Sequence, residues 1–398
     1  MTPSPLPVIR LKPKTDPRRI RHGFPWVYDN EIVTDRRTKA IPSGALAVLE
    51  DAERGTLGLV AVNPRSRIFA RMLDRDTGAE IGEDWFRVRL ARALDLRMRL
   101  FDAPFYRLVH AEADGLPGVI IDRFGDVAVI QPNTAWAEAH LGALAAALAG
   151  VTGIGTILKN AGGWARGLEG LDDQSAVLHG VAPDGPVEVP MNGAVYMADL
   201  LEGQKTGLFF DQRPNHAFAK GLSEGARVLD VFSHVGGFGL AALAGGAARV
   251  LAVDSSAPAL ALAREGAARM GAEGRFETRQ GDAFDTLAAL ADEGAAFDVV
   301  ICDPPAFAPT KKAFDRGLRA YERIARLAAP LVAEGGILGL CSCSHAADLG
   351  AFRQASVRGI GRAGREGRLL HTGFAGPDHP MHPQLAESGY LKVLFFAL

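Results

Sequence analysis

Residues 228–243 read VLDVFSHVGGFGLAAL, an apolar run with one acid, then a glycine pair, then a run rich in Ala and Leu. The first run is typical of a buried strand and the last of a helix, which we predict to begin near Phe238. Gly236 and Gly237 fall in the turn between them, where the missing side chains let the backbone approach a ligand closely. This unit predicts a ligand site at the carboxyl end of a strand in an α/β sheet.

The same alternation continues toward the C-terminus. Helical patterns rich in Ala and Leu separate four further strand-like runs, RVLAVD (249–254), RFETRQ (275–280), FDVVICD (297–303) and GGILGLCSCS (335–344). Strand and helix in alternation predict a parallel sheet covered by helices on both faces. The ending differs, because GRLLHTGFAG (367–376) and YLKVLFFAL (390–398) are β runs with no helix between them, which predicts a terminal antiparallel hairpin.

The N-terminal half of the chain has a different pattern of apolar and polar residues. From about residue 7 to 80, short apolar runs are broken by Gly, Pro and charged residues, as in a small β-rich domain. A helical stretch, DWFRVRLARALDLRMRL (84–100), follows, and β-like runs then alternate with an Ala/Leu-rich helix. We therefore predict three domains, namely a β-rich domain over 1–80, a central α+β domain over 81–195 and the α/β domain over 196–398.

Composition narrows the class of protein. The chain has 398 residues, 48% hydrophobic and 23% charged, enough for more than one core. No stretch approaches the roughly 20 apolar residues of a membrane span and the first residues lack a signal-peptide core, so we expect a cytoplasmic protein. Residues 1–110 carry 20 Lys+Arg against 14 Asp+Glu, and the rest 24 against 32. That asymmetry suits a nucleic-acid partner, although an ordinary solvated surface explains it equally well.

Acidic residues stand at successive strand ends. Asp254 lies 24 residues beyond Asp230, at a position where an acid can accept hydrogen bonds from both hydroxyls of a ribose. Asp282 follows the third strand, where a carboxylate can accept a hydrogen bond from the amino group of adenine. Asp303 ends the fourth strand within CDPPAF. A nicotinamide dehydrogenase is the first competitor, but it usually has G-x-G-x-x-G, whereas this turn reads G-G-F-G. The four acids, the DPP motif and the hairpin resemble a class I methyltransferase that uses S-adenosylmethionine; another nucleotide-binding fold is the alternative.

The stretch LCSCSH (340–345) holds two of the three cysteines. Cys341 and Cys343 point the same way if the strand extends that far. The C-x-C spacing is too short for a usual zinc site and no second pair exists, while a redox pair remains an alternative. Cys302 lies inside an apolar run and is interpreted as core. Cys343, beside polar residues at the end of the strand that follows the DPP strand, can reach the methyl-transfer site.

This placement suggests a specific reaction. A thiolate that adds to C6 of a pyrimidine makes C5 nucleophilic toward a methyl group. Asp303 in its acid form could donate a proton to N3 of the base. The competing chemistry is methylation of an exocyclic amine, which uses an [N/D]-P-P-[aromatic] motif. Here Ala306 follows the prolines and Phe307 comes one residue later, which weakens that interpretation.

Several motifs occur in one order along almost the whole chain, namely HGFPWVYDNEI, RLVHAEADGLPGVIIDRFGD, EGQKTGLFFDQRPN, DVFSHVGGFG, CDPPAF, CSCSH, DHP and YLK. In these motifs the chain resembles the bacterial 23S rRNA cytosine-C5 methyltransferases that carry an N-terminal PUA domain. The resemblance implies a PUA domain over 1–80 and a class I Rossmann-like methyltransferase domain over 196–398. It also implies S-adenosylmethionine as cofactor and 23S ribosomal RNA as partner. A homodimer is one assembly open to it, and a protein that binds RNA in ribosome assembly without catalysis is the remaining alternative.

Carried over by position, the resemblance assigns roles to individual residues. It implies Cys343 as the nucleophile, with Asp303 beside it. The implied cofactor contacts are Gln212, Arg213, Asp230, Phe232, Gly236, Gly237, Asp254, Asp282 and Asp303. Gln212 and Arg213 would lie near the methionine end, with a helix cap or ion pair as the alternative. The implied RNA contacts, to phosphates, are Lys12, Lys14, Arg18, Arg19, Arg21 and Lys311.

Two assignments are left open by the resemblance. Some RNA methyltransferases use a second cysteine after the prolines to release the product, but this chain has Ala306 there, so the elimination base is unassigned. His371, His379 and His382 could suggest a metal, yet PDHPMHP (377–383) matches a loop of this family that is not known to bind one. We interpret this loop as part of the active-site wall.

Overall fold

The computed structural model describes residues 5–201 and 207–398. The described chain forms two compact units. The first holds residues up to 184 together with 378–386, and the second holds residues from 185 to 377 and from 387 to the end. The division into three domains at residues 80 and 195 stays a prediction.

The N-terminal part of the first unit is a five-stranded sheet in the order β1-β3-β4-β5-β2. On β3 the buried side chains of Ala47 and Leu49 alternate with partly exposed ones, as expected for a strand with one face in the core. The elements are β1 Val8–Arg10, α1 Arg18–Arg21, β2 Trp26–Tyr28, α2 Arg36–Lys39, β3 Leu46–Glu50, β4 Thr56–Val62 and β5 Ile68–Asp74.

The remainder of the first unit is a second five-stranded sheet with helices, in the order β10-β9-β8-β7-β6. The Ala/Leu-rich helix predicted as one element is two helices, because His140 leaves helical geometry and its Nδ1 lies 2.8 Å from the carbonyl oxygen of Trp136. The elements are α3 Glu83–Leu100, β6 Phe105–His110, β7 Val119–Phe124, β8 Val127–Pro132, α4 Ala135–Ala139, α5 Leu141–Thr152, β9 Thr156–Lys159, α6 Trp164–Glu169 and β10 Ala176–His179.

The second unit begins with a hairpin and continues into a seven-stranded sheet in the order β15-β14-β13-β16-β17-β19-β18. The hairpin is β11 Val187–Met191 and β12 Ala194–Ala198. The sheet strands are β13 Arg227–Val231, β14 Arg249–Asp254, β15 Phe276–Gln280, β16 Phe297–Cys302, β17 Val332–Ser342, β18 Arg368–Gly373 and β19 Lys392–Ala397. The helices are α7 Arg213–Lys220, α8 Gly237–Ala244, α9 Ala257–Arg269, α10 Ala283–Asp292, α11 Phe314–Ala328 and α12 Leu349–Arg362.

The strand order places the predicted site residues at one edge. Strands β13 to β17 are parallel, and β13 pairs with both β14 and β16, so the chain order reverses there. Ligands of open α/β sheets bind at such a switch point, outside the carboxyl ends of the strands. The expected α/β fold class is confirmed.

The terminal antiparallel pair is also present, but it does not extend the sheet in chain order. β19 inserts between β17 and β18 and is antiparallel to both. Its side chains Val393, Leu394 and Phe395 are completely buried, which the central position in the sheet explains. In the described part of the chain, no helix is long and apolar enough to cross a membrane.

Candidate active site

The turn between β13 and α8 has unusual backbone geometry. Phe232 and His234 have positive φ values of 61° and 50°, and Gly236 follows with 83°. A Cβ atom on Gly236 would lie 3.1 Å from Ala263 and from Leu240, so both its φ and its surroundings favour glycine. Non-glycine residues in the left-handed region cost free energy and concentrate at functional sites. The conformation of this turn therefore agrees with the predicted ligand site, which stays a prediction.

Asp230 lies beneath this turn and is completely buried. Its Oδ2 accepts a hydrogen bond from the amide of Gly239 at 2.7 Å, while Oδ1 has no partner among the described residues. Burial raises the pKa of Asp230 to about 7, and the nearby Asp254 adds to that rise. A buried carboxyl oxygen without a partner is costly, which indicates a group that a ligand completes.

Asp254 and Asp282 are held by backbone amides at the ends of the next two strands. Asp254 accepts from the amides of His234 and Ser256, each at 2.8 Å. Asp282 caps α10 through Oδ1, which accepts from Phe284 at 2.8 Å and from Asp285 at 3.2 Å. Each carboxylate oxygen has two lone pairs, so both acids keep acceptor capacity for hydroxyl or amino groups of a ligand.

Asp303, directly after β16, is the centre of a polar cluster. Gln212 donates from Nε2 to Oδ2 of Asp303 at 3.0 Å, and its own Oε1 accepts from Asn215 at 2.7 Å. Cys302, directly before Asp303, pairs with Leu340 on β17, so Cys341 follows at the same level of the neighbouring strand. Burial, followed by the charge of Asp211, raises the pKa of Asp303 to about 7. Near neutral pH the carboxyl is therefore partly protonated and can act as a proton donor.

Asp211 is a residue that the sequence analysis missed. It is buried; Oδ2 accepts from the hydroxyl of Tyr390 at 2.6 Å, and Oδ1 has no partner in the described chain. Across residues 5–201 and 207–398, no basic side chain lies within 4.0 Å of the carboxylates of Asp211, Asp230 or Asp303. Three acids without a cationic partner favour a ligand that carries positive charge. Its position in FDQR, directly before the predicted cofactor contacts Gln212 and Arg213, is the sequence feature that could have identified it.

The two cysteines of LCSCSH have different surroundings. Cys341 lies within β17 and is 1% exposed, whereas β17 ends at Ser342 and Cys343 lies just beyond it, half-buried. The strand alternation therefore stops between them. Burial raises the pKa of both Cys302 and Cys341, so these two stay thiols at neutral pH. Cys343 is the one cysteine whose side chain is partly open to solvent.

Hydrogen bonds fix the residues on either side of Cys343. Ser342 and Ser344 are completely buried. The hydroxyl of Tyr321, on α11, lies 2.9 Å from Oγ of Ser342 and 2.7 Å from Oγ of Ser344. Oγ of Ser344 also accepts from the amide of Ala308, in the loop after the DPP motif, at 2.9 Å. The serines therefore tie the Cys343 turn to the loop that carries Asp303.

The six basic residues predicted to contact RNA differ in whether their side chains are already bonded within the protein. Arg19 forms an ion pair with Glu31, and Arg21 forms one with Asp51. Lys12 donates to the carbonyl oxygen of Asn30 at 2.9 Å. The side chains of Lys14, Arg18 and Lys311 are exposed and have no ion pair with a described acid.

The histidine loop makes its described contacts within the first unit. Asp378 is completely buried; its Oδ2 accepts from the amide of Arg107 at 3.1 Å, and its carbonyl oxygen accepts from Arg97 at 3.1 Å. Nδ1 of His379 lies 3.0 Å from Oδ1 of Asp378. Among the residues described, no three His, Cys, Asp or Glu side chains form a group that could hold a metal. The role of this loop as an active-site wall stays a prediction.

Comparison with known proteins identifies the family of the chain and, with it, the cofactor. A family model described as S-adenosylmethionine-dependent methyltransferase matches residues 173–396, and a PUA-like domain model matches residues 9–75. The chain belongs to the S-adenosylmethionine-dependent methyltransferase family. The expected methyltransferase fold, the PUA-like domain and S-adenosylmethionine as cofactor are thereby confirmed.

Relatives of this methyltransferase match it over nearly its whole length. One, named Ribosomal RNA large subunit methyltransferase, from Deinococcus radiodurans, is 35% identical and covers 99% of this chain and 98% of its own. Another, named Ribosomal RNA large subunit methyltransferase I, from Shewanella denitrificans, is 35% identical over 97% of this chain and 98% of its own. A solved structure from Streptococcus mutans, described as a SAM-dependent methyltransferase, has a TM-score of 0.81 at 18% identity, covers 99% of this chain and 100% of its own, and shows the shared fold.

The site of this methyltransferase fits the cofactor chemically. The sulfonium and ammonium groups of S-adenosylmethionine are cationic, and the buried acids Asp211 and Asp230 each have a carboxyl oxygen without a partner in the described chain. The ribose and adenine offer hydroxyl and amino groups to carboxylates such as Asp254 and Asp282. The observed geometry therefore gives each acid an acceptor role, and the individual contacts of the nine cofactor residues stay proposals.

Proposed function

We propose that this methyltransferase methylates C5 of a cytosine in 23S ribosomal RNA, with Cys343 as a covalent nucleophile. Full-length relatives are named as large-subunit ribosomal RNA methyltransferases, without naming the atom that is methylated. The observation that carries the proposal is the half-buried Cys343 thiol between two fully buried serines, on a turn tied to the loop that carries Asp303.

The proposed reaction begins with the thiolate of Cys343 adding to C6, while Asp303 in its acid form donates a proton to N3. The C5–C6 double bond is consumed and C5 becomes nucleophilic. When bound, S-adenosylmethionine supplies the methyl group, and its carbon–sulfur bond breaks as the bond to C5 forms. Loss of the C5 proton to a base, return of the N3 proton and departure of the thiolate restore the aromatic ring.

The structure offers no observation that favours methylation of an exocyclic amine. In that chemistry an aromatic residue follows the prolines, whereas Ala306 stands there. The ring of Phe307, one residue later, packs 5.1 Å from Tyr321 and 6.2 Å from Phe284, centroid to centroid. Phe307 therefore supports the protein core, and methylation of an amine is an outcome of the test below.

The test incubates the protein with unmodified large-subunit ribosomal RNA and methyl-labelled cofactor, and maps the methylated atom by nucleoside mass spectrometry. We expect label on C5 of cytosine. Cys343→Ala should lower turnover more than about a thousandfold, because it removes the nucleophile. Cys341→Ala is the matched control and should keep most of the turnover, since Cys341 is buried in β17.

The outcomes separate the alternatives. Label on an amine nitrogen, or full activity in Cys343→Ala, would overturn the covalent mechanism. Loss of activity in Cys341→Ala alone would move the nucleophile to that residue. Absence of any label, together with no binding of S-adenosylmethionine in a calorimetric titration, would instead support a protein that binds RNA without catalysis.

A further inference from the structure

Lys392 is a buried lysine next to the proposed nucleophile. It begins β19, and the antiparallel register places it opposite Ser342, the last residue of β17. Its side chain is 5% exposed. Lysine is rarely this buried unless it is paired, so its presence at this position requires an explanation.

The ammonium group of Lys392 is bonded to the Cys343 turn rather than to an acid. Nζ donates to the carbonyl oxygen of Ser344 at 2.7 Å and to that of Ala347 at 2.6 Å. In the described part of the chain, no carboxylate lies within 4.0 Å of Nζ. Carbonyl oxygens accept these protons but do not neutralise the charge. An ammonium has three protons, so one proton and the full positive charge remain for an anion nearby.

Cys343 directly precedes Ser344, whose carbonyl oxygen accepts from Lys392, and the charges of Cys343 and Asp348 both act on this ammonium. Asp348 is already engaged, because its Oδ1 accepts from the amide of Ala351 at 2.7 Å and caps α12. Burial lowers the pKa of Lys392, and the charges of Cys343 and Asp348 oppose that effect. Attraction between two groups is reciprocal, so a charged lysine favours the thiolate of Cys343.

We propose that Lys392 is a positioning residue that fixes the Cys343 turn through its carbonyl oxygens and stabilises the thiolate of Cys343 by its buried positive charge. Cationic neighbours activate cysteines in this way. The role in catalysis rests on the proposed function, in which Cys343 is the nucleophile. The effect on the thiol itself does not, and it is measured without RNA or methyl transfer.

The test measures the alkylation rate of Cys343 by iodoacetamide against pH, by mass spectrometry of its peptide in the full-length protein. Lys392→Met keeps the aliphatic stem and removes the charge, and we expect the midpoint for Cys343 to rise by about one pH unit, with about tenfold slower alkylation at pH 7. Lys392→Arg should restore most of the rate. An unchanged profile in Lys392→Met would overturn the proposal.

Tyr321→Phe is the matched control for a purely structural role. It removes the hydroxyl that bonds Ser342 and Ser344 and leaves the charge near Cys343 unchanged. We expect its alkylation midpoint to stay within about 0.3 pH units of the wild type. A shift as large as that of Lys392→Met would mean that both residues act only by ordering the turn, and would overturn the electrostatic part.

A second measurement covers the case in which Lys392→Met does not fold. The ammonium of Lys392 is titrated by NMR in the wild type and in Cys343→Ser, and by reciprocity its midpoint should fall by at least about 0.5 pH units when the thiolate is absent. Equal midpoints would contradict the proposal. If the thiol test succeeds while Cys343→Ala still methylates RNA, Lys392 tunes the cysteine and the proposed function alone fails.

Discussion

In the first unit, the guanidinium of Arg97 is completely buried and lies 2.7 Å from the carboxylate of Asp114. In the second unit, Asp230 is equally buried, but among the described residues no basic side chain lies within 4.0 Å of its carboxylate. Arg107 with Asp122 and Arg166 with Glu138 repeat the paired pattern in the first unit. Buried pairs are expensive to break, while a buried unpaired acid raises its pKa and suits a cationic ligand. The first arrangement is typical of a structural scaffold, and the second is the one that we expect of a site for a cationic ligand.

The largest effect should follow from breaking a pair. Arg97→Met leaves Asp114 buried without its partner and also removes hydrogen bonds to the carbonyl oxygens of Arg107 and Asp378. We expect a loss of about 3–5 kcal/mol in the free energy of unfolding of the first unit. Tryptophan fluorescence in a urea titration reports this unit, since all four tryptophans lie between residues 26 and 164.

Arg87→Ala is the control, because its ion pairs with Glu83 and Asp84 are exposed on α3. Exposed helical pairs contribute about 0.3–0.5 kcal/mol. If Arg97→Met destabilised the unit no more than Arg87→Ala, the buried pair would not be a structural requirement.

A smaller effect should follow from neutralising the unpaired acid. Asp230→Asn removes a charge whose burial destabilises the free protein at neutral pH, so the free energy of unfolding there should rise or stay the same rather than fall. The affinity for S-adenosylmethionine should fall about 10-fold to 100-fold, as measured by calorimetry, because a cationic ligand loses its buried counter-charge. Equal affinity in the variant and the wild type would show that the charge of Asp230 does not serve the cofactor.

The same contrast predicts opposite pH dependences. The folded pKa values of Asp230 and Asp303, about 7, exceed the ordinary value of 3.8, so their stabilising contribution is complete below about 4 and is lost as pH rises toward 7. Burial alone would raise the pKa of Glu138, but hydrogen bonds from Lys159 and Arg166 hold it below the ordinary 4.5. The contribution of Glu138 is therefore present above about 4.5 and is lost only in more acidic solution.

Cofactor binding measures the first of these dependences. Because the cofactor is cationic, its affinity should rise about tenfold between pH 6 and pH 8 as the acids ionise, with proton release in calorimetry. The Asp230→Asn variant should show a weaker rise. An affinity independent of pH over this range would contradict the raised pKa values.

The smallest effect concerns the basic residues of the first unit. Lys14 and Arg18 have no ion pair with a described acid, whereas Arg19 pairs with Glu31. If the unpaired residues contact phosphates, changing Lys14 and Arg18 to Ala together should reduce the slope of log affinity against log salt by about 2. Arg19→Ala should reduce it by less. Filter binding to large-subunit ribosomal RNA at several salt concentrations distinguishes these outcomes, and an unchanged slope in the double variant would place the RNA contacts elsewhere.

Local patterns in the sequence predicted the methyltransferase sheet well. The alternation of strands and helices and the acids at strand ends depend on neighbouring residues, and the structure has Asp230, Asp254 and Asp303 at strand ends as expected. The insertion of β19 between β17 and β18 was not predictable, because pairing between distant strands is decided by packing of the whole sheet.

Lys392 was missed for the same reason, because its surroundings depend on residues that are distant in the sequence. Lys392 sits in YLKVLF, where a lysine before an apolar strand is usually a solvated strand end, and only the register with β17 buries it. The pairing of Cys302 on β16 with Leu340 on β17 likewise joins residues 38 positions apart on neighbouring strands. A sequence pattern can suggest which cysteine is nearer the strand end, but not what each one contacts.

The covalent bond that we propose between Cys343 and the base can be trapped with a modified substrate. Large-subunit ribosomal RNA transcribed with 5-fluorocytidine is incubated with the protein and S-adenosylmethionine, and then analysed on a denaturing gel. Fluorine at C5 cannot leave as a proton, so the adduct cannot resolve. We predict a protein–RNA complex that survives denaturation for the wild type and for Cys341→Ala, with Cys343 as the cross-linked residue. A complex in Cys343→Ala, or none in the wild type despite methylation of normal RNA, would show that Cys343 does not form the bond to the base.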